Sequence, residues 1–355
     1  MSTSLSRRSF LRGTLLAAGA TAGASVLAAC GGGATAASAG GTVAFADWGG
    51  SVREARKKAF LDPFMAQKGA QVAFADADPA RFVSMAERGR SQWDTIDADG
   101  FLHVDWQRKG LLRELPASVR KADLVPAHCQ SFAGGGYSTS FVVTYRKSAF
   151  PGGAPQSWAD FWDTEKFPGK RGFPGTYLST VEPALLADGV DPAKLFPLDF
   201  DRGLRKLDQL RSSLTIYESY GQGQQALQSR TVDISLLPNG RAFPLLADDD
   251  IAITWEQNIY YPWTSAPVPN GAPNPALMFE LVDFMNQPEN QAEFARLCGY
   301  GPTVAAAFDL LDDSLNANLP GSPVNLPKSV VIDADALAAQ TEEYSARYSA
   351  WLARA

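Results

Sequence analysis

The chain has 355 residues, of which 45% are hydrophobic and 20% are charged, a composition typical of a folded globular protein. Thirty-two basic and 38 acidic residues leave a net charge of −6, and beyond the first 12 residues no basic cluster stands clear of acidic neighbours. This balance argues against a nucleic-acid partner. The two histidines and three cysteines form no CxxC, HxxxH or HExxH spacing, and no nucleophile elbow or phosphate-binding loop is found. We therefore expect no catalysis, no metal and no cofactor.

The N-terminus has the pattern of an export signal. Arg7-Arg8 precede a stretch of Gly, Ala and Leu that is too short and too small-sided to span a bilayer. That stretch ends in Leu27-Ala28-Ala29-Cys30, which resembles the lipobox of bacterial lipoproteins. We predict a twin-arginine-like lipoprotein signal peptide over residues 1–29, with a lipidated Cys30 and a flexible linker over 30–41. The alternative is cleavage after Ala37-Ser38-Ala39, which would leave a free soluble protein.

Beyond the linker, short apolar runs alternate with amphipathic ones, which indicates strand and helix in turn. The first strand is predicted at Thr42–Asp47 and the first helix at Val52–Lys68. A glycine-rich break at 133–136 precedes a second alternating set, whose last strand is predicted at Ile251–Trp255. Prolines between residues 262 and 273 then mark a segment that crosses between domains. At this length the order predicts two α/β lobes, with ligands bound at the carboxyl ends of the strands.

The turn after the first strand reads Asp47-Trp48-Gly49-Gly50-Ser51. Ser51, with Glu54 three residues later, has the form of a capping box, so the backbone amides of this turn would point outward at a helix N-terminus. Trp48 beside two glycines would offer an aromatic face for a ligand to stack on. The alternative is a tryptophan that packs on the core as a lid.

Charged residues end several of the predicted strands. Asp97 and Asp99 end the third strand, Glu218 ends a later one, and Arg241 follows the end of another. Carboxylates that converge on one cleft would attract a cation. Arg241 would either clamp a ligand carboxylate or pair with one of these acids. Taken singly, each acid at such a position, including Glu182 in the first turn of its predicted helix, is more often a helix cap or a solvated charge than a ligand contact.

Several motifs, in this order along the chain, resemble those of the extracellular solute-binding proteins of ABC importers, and most specifically the spermidine/putrescine-binding proteins. They are Asp47–Ser51, Trp93–Asp97, Tyr137–Tyr145, Ser157–Asp163, Asn239–Arg241, Pro269–Asn274 and Gly299–Pro302.

The resemblance implies an α/β, two-lobed periplasmic-binding-protein fold of the type II-like form, with mostly parallel sheets and a ligand cleft between the lobes. In such a fold the chain crosses twice between the lobes. We therefore expect lobe 1 to comprise residues 42–143 and 264–308, and lobe 2 to comprise residues 144–263 and 309–355.

Carried over by position, Trp48 would match a ring that stacks on the ligand, Asp99 and Phe101 would match strand-end contacts, and Tyr300 a cleft tyrosine. Thr176 stands where polyamine binders place an acid, which puts a true polyamine site in doubt. The full set of predicted ligand-binding residues is Trp48, Gly49, Gly50, Ser51, Asp99, Phe101, Thr176, Tyr177, Glu218, Arg241, Trp263, Thr264 and Tyr300.

The resemblance predicts the substrate-binding subunit of an ABC importer. It would be a monomer at the periplasm or outer face of the cytoplasmic membrane, anchored by lipid, that delivers a small polar solute to a permease and ATPase complex. An amine, polyamine-like as putrescine or spermidine, is the favoured ligand. Open alternatives are an amino acid or carboxylate bound through Arg241, a sensor subunit, and an extracytoplasmic enzyme built on Tyr177, Glu182, Glu218 and Arg241. An oxidising compartment would also permit a disulfide between Cys129 and Cys298.

Overall fold

The structure is a computed structural model that describes residues 40–354. The predicted signal peptide, Cys30 and almost all of the predicted linker lie outside the described residues. No helix in the described part of the chain is both long enough and apolar enough to cross a membrane.

Strands and helices alternate along most of the chain. The strands are β1 (Thr42–Asp47), β2 (Gln71–Asp76), β3 (Thr95–Ile96), β4 (Ala98–Asp99), β5 (Tyr137–Arg146), β6 (Arg171–Pro174), β7 (Leu214–Tyr217), β8 (Ile234–Pro238), β9 (Ile251–Ser265) and β10 (Val330–Val331). The α-helices are α1 (Gly50–Arg56), α2 (Asp62–Lys68), α3 (Pro79–Glu87), α4 (Gly100–Arg108), α5 (Trp158–Trp162), α6 (Val181–Ala187), α7 (Phe200–Asp208), α8 (Tyr220–Gln228), α9 (Asn239–Ala242), α10 (Pro275–Met285), α11 (Pro288–Cys298), α12 (Asp313–Asn316) and α13 (Ala334–Leu352).

The first strand lies where the sequence predicts it, and the first helix begins two residues early and then runs to the predicted end. A π-helical turn, Lys57–Leu61, joins α1 to α2, so that helical structure continues from Gly50 to Lys68. Pro63 follows directly on this turn, at the start of α2. A proline inside a helix lacks the N–H of one helical hydrogen bond, and its ring crowds the preceding turn. The wider π-helical turn gives the ring space, so the helix continues through Pro63.

The first sheet has the order β2-β1-β3 and is parallel throughout, as expected from its strand–helix repeats. The second sheet has the order β10-β9-β5-β8-β6-β7, with β4 paired to β9. It is mixed rather than mostly parallel, because β5 runs antiparallel to both β8 and β9, and β4 also runs antiparallel to β9. Every residue of β5 is buried, so this strand forms the centre of the second sheet.

The predicted break at Pro262 is wrong, because β9 continues through this proline as one strand of 15 residues. Tyr261 pairs with Thr139 and Thr264 with Tyr137, and the register shifts between these two pairs. Pro262 lies at this irregularity, where a strand needs no ladder N–H.

The C-terminal helix α13 packs into the protein core. Its residues Tyr344, Tyr348 and Trp351 are fully buried in the largest hydrophobic cluster of the described residues. Cys129 and Cys298 are both buried and free, so the disulfide that the sequence permits does not form.

Candidate functional site

A cavity of about 580 Å³ lies where strand ends and helix starts from both sheets meet. Nine of the thirteen predicted ligand-binding residues line it: Trp48, Gly49, Asp99, Thr176, Tyr177, Glu218, Arg241, Thr264 and Tyr300. Residues that are more than 200 positions apart in sequence therefore meet at one cavity, as the strand-end argument requires.

Two predicted contacts, Phe101 and Trp263, lie in the core instead. Each side chain is 1% exposed. The Trp263 ring lies against Gly100, where an added Cβ would come within 2.2 Å of the ring. The start of α4 therefore covers Trp263 and separates it from the cavity.

Gly50 and Ser51 also lie outside the cavity lining, in the first turn of α1. The helix begins two residues earlier than a capping box on Ser51 requires, since Gly49 is the N-cap residue and no side chain caps this end. The capping box predicted for Ser51 and Glu54 is therefore absent.

Trp48 projects at the edge of the cavity with 64% of its surface exposed. Its indole N–H donates to the backbone carbonyl of Asp97 over 3.0 Å, which fixes one edge of the ring. The alternative of a tryptophan packed on the core is thereby ruled out. An exposed aromatic face beside a cavity is suited to cover an ammonium group or an alkyl chain.

The buried residues Asp47, Arg56 and Asp97 form a charge network with the half-buried Arg53. Asp47 accepts from Arg53 at 2.6 Å and from Arg56 at 2.9 Å. The second guanidinium nitrogen of Arg56 lies 2.7 Å from Asp97. Burial raises the pKa of Asp97, and the charge of Arg56 opposes that rise. The two positive and two negative charges neutralise each other inside the protein.

Asp99 differs from Asp97 in having no cationic partner among residues 40–354. It is half-buried in the cavity wall just before α4, and its carboxylate accepts only from the Thr264 hydroxyl, over 3.2 Å. Burial, and next the charge of Asp97, raise the pKa of Asp99 to about 6. This carboxylate is ionised at neutral pH and is available to a cationic ligand.

Arg241 supplies the opposite charge to the same cavity. It is half-buried on α9 and forms no ion pair with any carboxylate in the described part of the chain. The preceding residues fix its backbone: the Asn239 amide donates to the Gly299 carbonyl over 2.6 Å, and the Tyr300 ring lies against Gly240, where a Cβ would come within 2.2 Å. The position after Gly240 is therefore held firmly against the wall formed by Tyr300.

Aromatic residues line most of the remaining wall, and the sequence analysis did not select them. They are Tyr137, Phe141, Tyr217, Tyr220 and Tyr261. Tyr220 and Thr176 share a hydrogen bond of 3.2 Å, and Ser179 donates to Tyr261 over 3.0 Å. Alternation along β5 places Tyr137, Thr139 and Phe141 on one face, a period-2 signal that was present in the sequence.

Neither metal nor acid–base chemistry is supported here. The described residues hold no group of three His, Cys, Asp or Glu side chains placed to bind a metal ion. Glu182, a member of the alternative enzymatic cluster, is fully buried on α6, does not line the cavity, and accepts a hydrogen bond from Tyr344. The remaining members, Tyr177, Glu218 and Arg241, do line it, but without a base beside a nucleophile.

The match to known proteins agrees with this architecture. Residues 59–319 match the model of the family described as bacterial extracellular solute-binding protein. The chain belongs to this family. It is 32% identical over 317 residues to the gamma-aminobutyric acid-binding protein of Pseudomonas aeruginosa. The matched region covers 86% of this chain and 90% of the relative.

Solved structures of the same fold support the assignment. The solved structure described as the Atu4243-GABA receptor matches with a TM-score of 0.81 at 31% identity. The match covers 88% of this chain and 98% of that one. The periplasmic binding protein AgtB of Agrobacterium tumefaciens R10, in complex with agropinic acid, matches with a TM-score of 0.76 at 29% identity and the same coverage. The predicted two-lobed periplasmic-binding-protein fold is confirmed.

Family membership also confirms the broad function. The chain is the substrate-binding subunit of an ABC importer, exported from the cytoplasm, which binds a small ligand and works with a permease and ATPase. Its relatives are solute-binding proteins, and the prediction that it is not an enzyme is confirmed.

Proposed function

We propose that this subunit captures a short amino acid in which the ammonium and carboxylate groups are separated, with γ-aminobutyric acid as the first candidate. The observation that carries the proposal is that two opposite charges, Asp99 and Arg241, lie in the wall of one cavity and that neither has an ion-pair partner among residues 40–354. The ammonium group would meet Asp99 and the carboxylate would meet Arg241. This is the alternative to an amine that the sequence left open, and the relatives named for GABA support it better.

Charge balance favours a zwitterion over a polyamine. Burying a charged group is costly unless a partner of opposite charge meets it. A diamine such as putrescine would place one ammonium beside Asp99 and bring the other toward the guanidinium of Arg241. Glu218 also lines the cavity, but it is exposed, and a solvated carboxylate contributes little.

The aromatic wall fits the same ligand class. Trp48, Tyr177 and Tyr220 also line the cavity and would contact a short methylene chain. Burial raises the pKa of Tyr177 and of Tyr220, so both hydroxyls stay neutral at physiological pH. They add hydrogen-bonding capacity without adding charge.

Cellular placement and lobe boundaries form a second part of the proposal. The lipobox-like sequence supports a lipid anchor at Cys30, and we propose that a monomer is tethered to the membrane through it. Lobe 1 would comprise residues 42–143 and 264–308, and lobe 2 residues 144–263 and 309–355. The pairing of Asp99 with Thr264, both in lobe 1, supports this division.

Isothermal titration calorimetry of the purified chain tests the ligand class. GABA should bind more tightly than glutamate, putrescine or spermidine. Asp99→Asn and Arg241→Gln should each weaken GABA binding by about 10- to 100-fold, because each removes the partner of a buried charge.

Asp105→Asn is the matched control for Asp99→Asn, since it removes a partly exposed acid from α4, the helix that follows Asp99, and lies outside the cavity lining. It should leave GABA binding unchanged. Tighter binding of putrescine than of GABA, or full GABA affinity in both cavity variants, would contradict the proposal.

A further inference from the structure

Two carboxylates that are two residues apart, Asp97 and Asp99, line the same cavity. Side by side, they would ordinarily make a strongly negative site suited to a polyamine end or a dication. Their surroundings differ. Asp97 lies 2.7 Å from the Arg56 guanidinium, both side chains being 3% exposed, and the Tyr137 hydroxyl lies 3.4 Å from the same carboxylate oxygen. Among the described residues, the Asp99 carboxylate accepts a hydrogen bond only from the Thr264 hydroxyl.

Arg56 is held between two acids and stays charged. Its other guanidinium nitrogen lies 2.9 Å from Asp47, which also receives Arg53. Although burial lowers the pKa of Arg56, the charges of Asp97 and Asp47 outweigh that effect and raise it. Asp97 could turn toward a ligand only by leaving a buried guanidinium without this partner, which is strongly unfavourable.

Resting on the proposed function, we infer that Arg56 sets the charge class of the ligand. By occupying Asp97, it leaves Asp99 as the one unpaired, half-buried carboxylate of the described cavity wall. Arg56 does not line the cavity and acts from beneath it, as a specificity-determining residue. The site then carries one buried negative charge against Arg241, which matches a zwitterion and disfavours a diamine.

The decisive measurement is the ratio of the dissociation constants for putrescine and GABA, determined by calorimetry at pH 7.5. Arg56→Met removes the cation and frees Asp97. The ratio should fall by about tenfold or more, because a second buried carboxylate favours the second ammonium and disfavours the GABA carboxylate.

Arg146→Met is the matched control. Arg146 is another buried arginine, 3% exposed and 3.0 Å from Asp250, but it lies outside the cavity lining. Its loss should lower thermal stability as the loss of Arg56 does, while the ratio stays within about threefold of wild type, since the cavity charges are untouched.

The double variant Arg56→Met/Asp97→Asn tests whether Arg56 acts through Asp97. If the role of Arg56 is to neutralise Asp97, removing both charges should return the ratio to near the wild-type value. A ratio that stays shifted in the double variant would assign the effect to altered packing and overturn the inference. An unchanged ratio in folded Arg56→Met would overturn it directly.

Asp97→Asn decides the matter if Arg56→Met does not fold. GABA affinity should fall by less than about tenfold in Asp97→Asn, and by more in Asp99→Asn, because only Asp99 meets the ligand. Equal losses would overturn the inference. A wild-type chain that binds putrescine and ignores GABA would instead overturn the proposed function, and with it this deduction.

Discussion

Asp97 and Asp99 show how much of a binding site is decided by a single side-chain partner. The sequence places both acids at the end of a strand, and it gives no reason to assign them different roles. The structure separates them, because Arg56 on α1 reaches Asp97 and no cation in the described chain reaches Asp99. Pairing between residues far apart in sequence leaves no local signal, so this distinction was not predictable from the motif alone.

The raised pKa of Asp99 predicts that GABA binding depends on pH. In the ligand-free protein, burial and the charge of Asp97 raise the pKa of Asp99 to about 6. Only the ionised form of Asp99 attracts an ammonium group. Protons therefore compete with the ligand as the pH falls. The dissociation constant should rise by about tenfold between pH 7 and pH 5.

Calorimetry at several pH values in this interval checks the dependence, and the same titration of Asp99→Asn should give a nearly flat profile. His103 does not interfere, because burial lowers its pKa to about 3. Wild-type affinity that is constant down to pH 5 would show that Asp99 does not receive the ammonium group.

At the scale of elements, the sequence predicted β1 and the helical segment that follows it, but ended β9 too early. Strand–helix repeats gave β1 and the helix to Lys68, because periodicity is a local property. The sequence predicts this strand only as far as Trp255 and a crossing segment at the prolines that follow, whereas β9 continues to Ser265. Here a register shift opposite Pro262 removes the need for its N–H, and that accommodation depends on the partner strand β5.

The contact between α6 and α13 carries a buried acid whose ionisation should lower stability. Glu182 is fully buried and has a pKa raised to about 7 by burial, which the Tyr344 hydrogen bond opposes only in part. The folded state therefore holds this proton more tightly than the unfolded state. The contribution of Glu182 to stability is complete below about pH 4.5 and is lost as the pH rises to about 7.

Glu182→Gln imitates the protonated form and should remove that loss. At pH 8 the free energy of unfolding should rise by about 1 to 3 kcal/mol relative to wild type, measured by urea denaturation. At pH 4 the two proteins should have nearly equal stability. A variant that is less stable than wild type at pH 8 would show that the carboxylate is satisfied in its ionised form.

For the molecule as a whole, the order of motifs predicted the two-lobed fold and the importer function, while the ligand was predicted less well. Nine predicted residues line one cavity, since strand ends converge in any fold of this kind. The preference for an amine rested on the resemblance to polyamine-binding proteins and on the acids at the strand ends. Arg56 cancels one of those acids, and the count then favours a ligand with one charge of each sign.

We expect Trp48 to contact the ligand when the two lobes close over it. With 64% of its surface exposed, it contributes little to the core, yet it lies at the cavity edge. Trp48→Ala should leave the thermal midpoint almost unchanged and weaken GABA binding by about 2- to 30-fold, the range of a cation–π contact.

Small-angle scattering should show a smaller radius of gyration for the wild type when GABA is added.

Unchanged affinity in Trp48→Ala would mean that the ring is not part of the closed site. A radius of gyration that GABA leaves unchanged in the wild type, at saturating concentration, would contradict closure itself.

The pairing of β4 with β9 also determines when the site can form during synthesis. Asp99 is held by Thr264, which follows it by 165 residues, so the ribosome must complete three quarters of the chain before this carboxylate can reach its place. Such distant contacts make folding slow, because a long loop has to close before they contribute. The recognition site is therefore among the last regions to become native, and a truncated nascent chain that ends before β9 cannot bind the ligand.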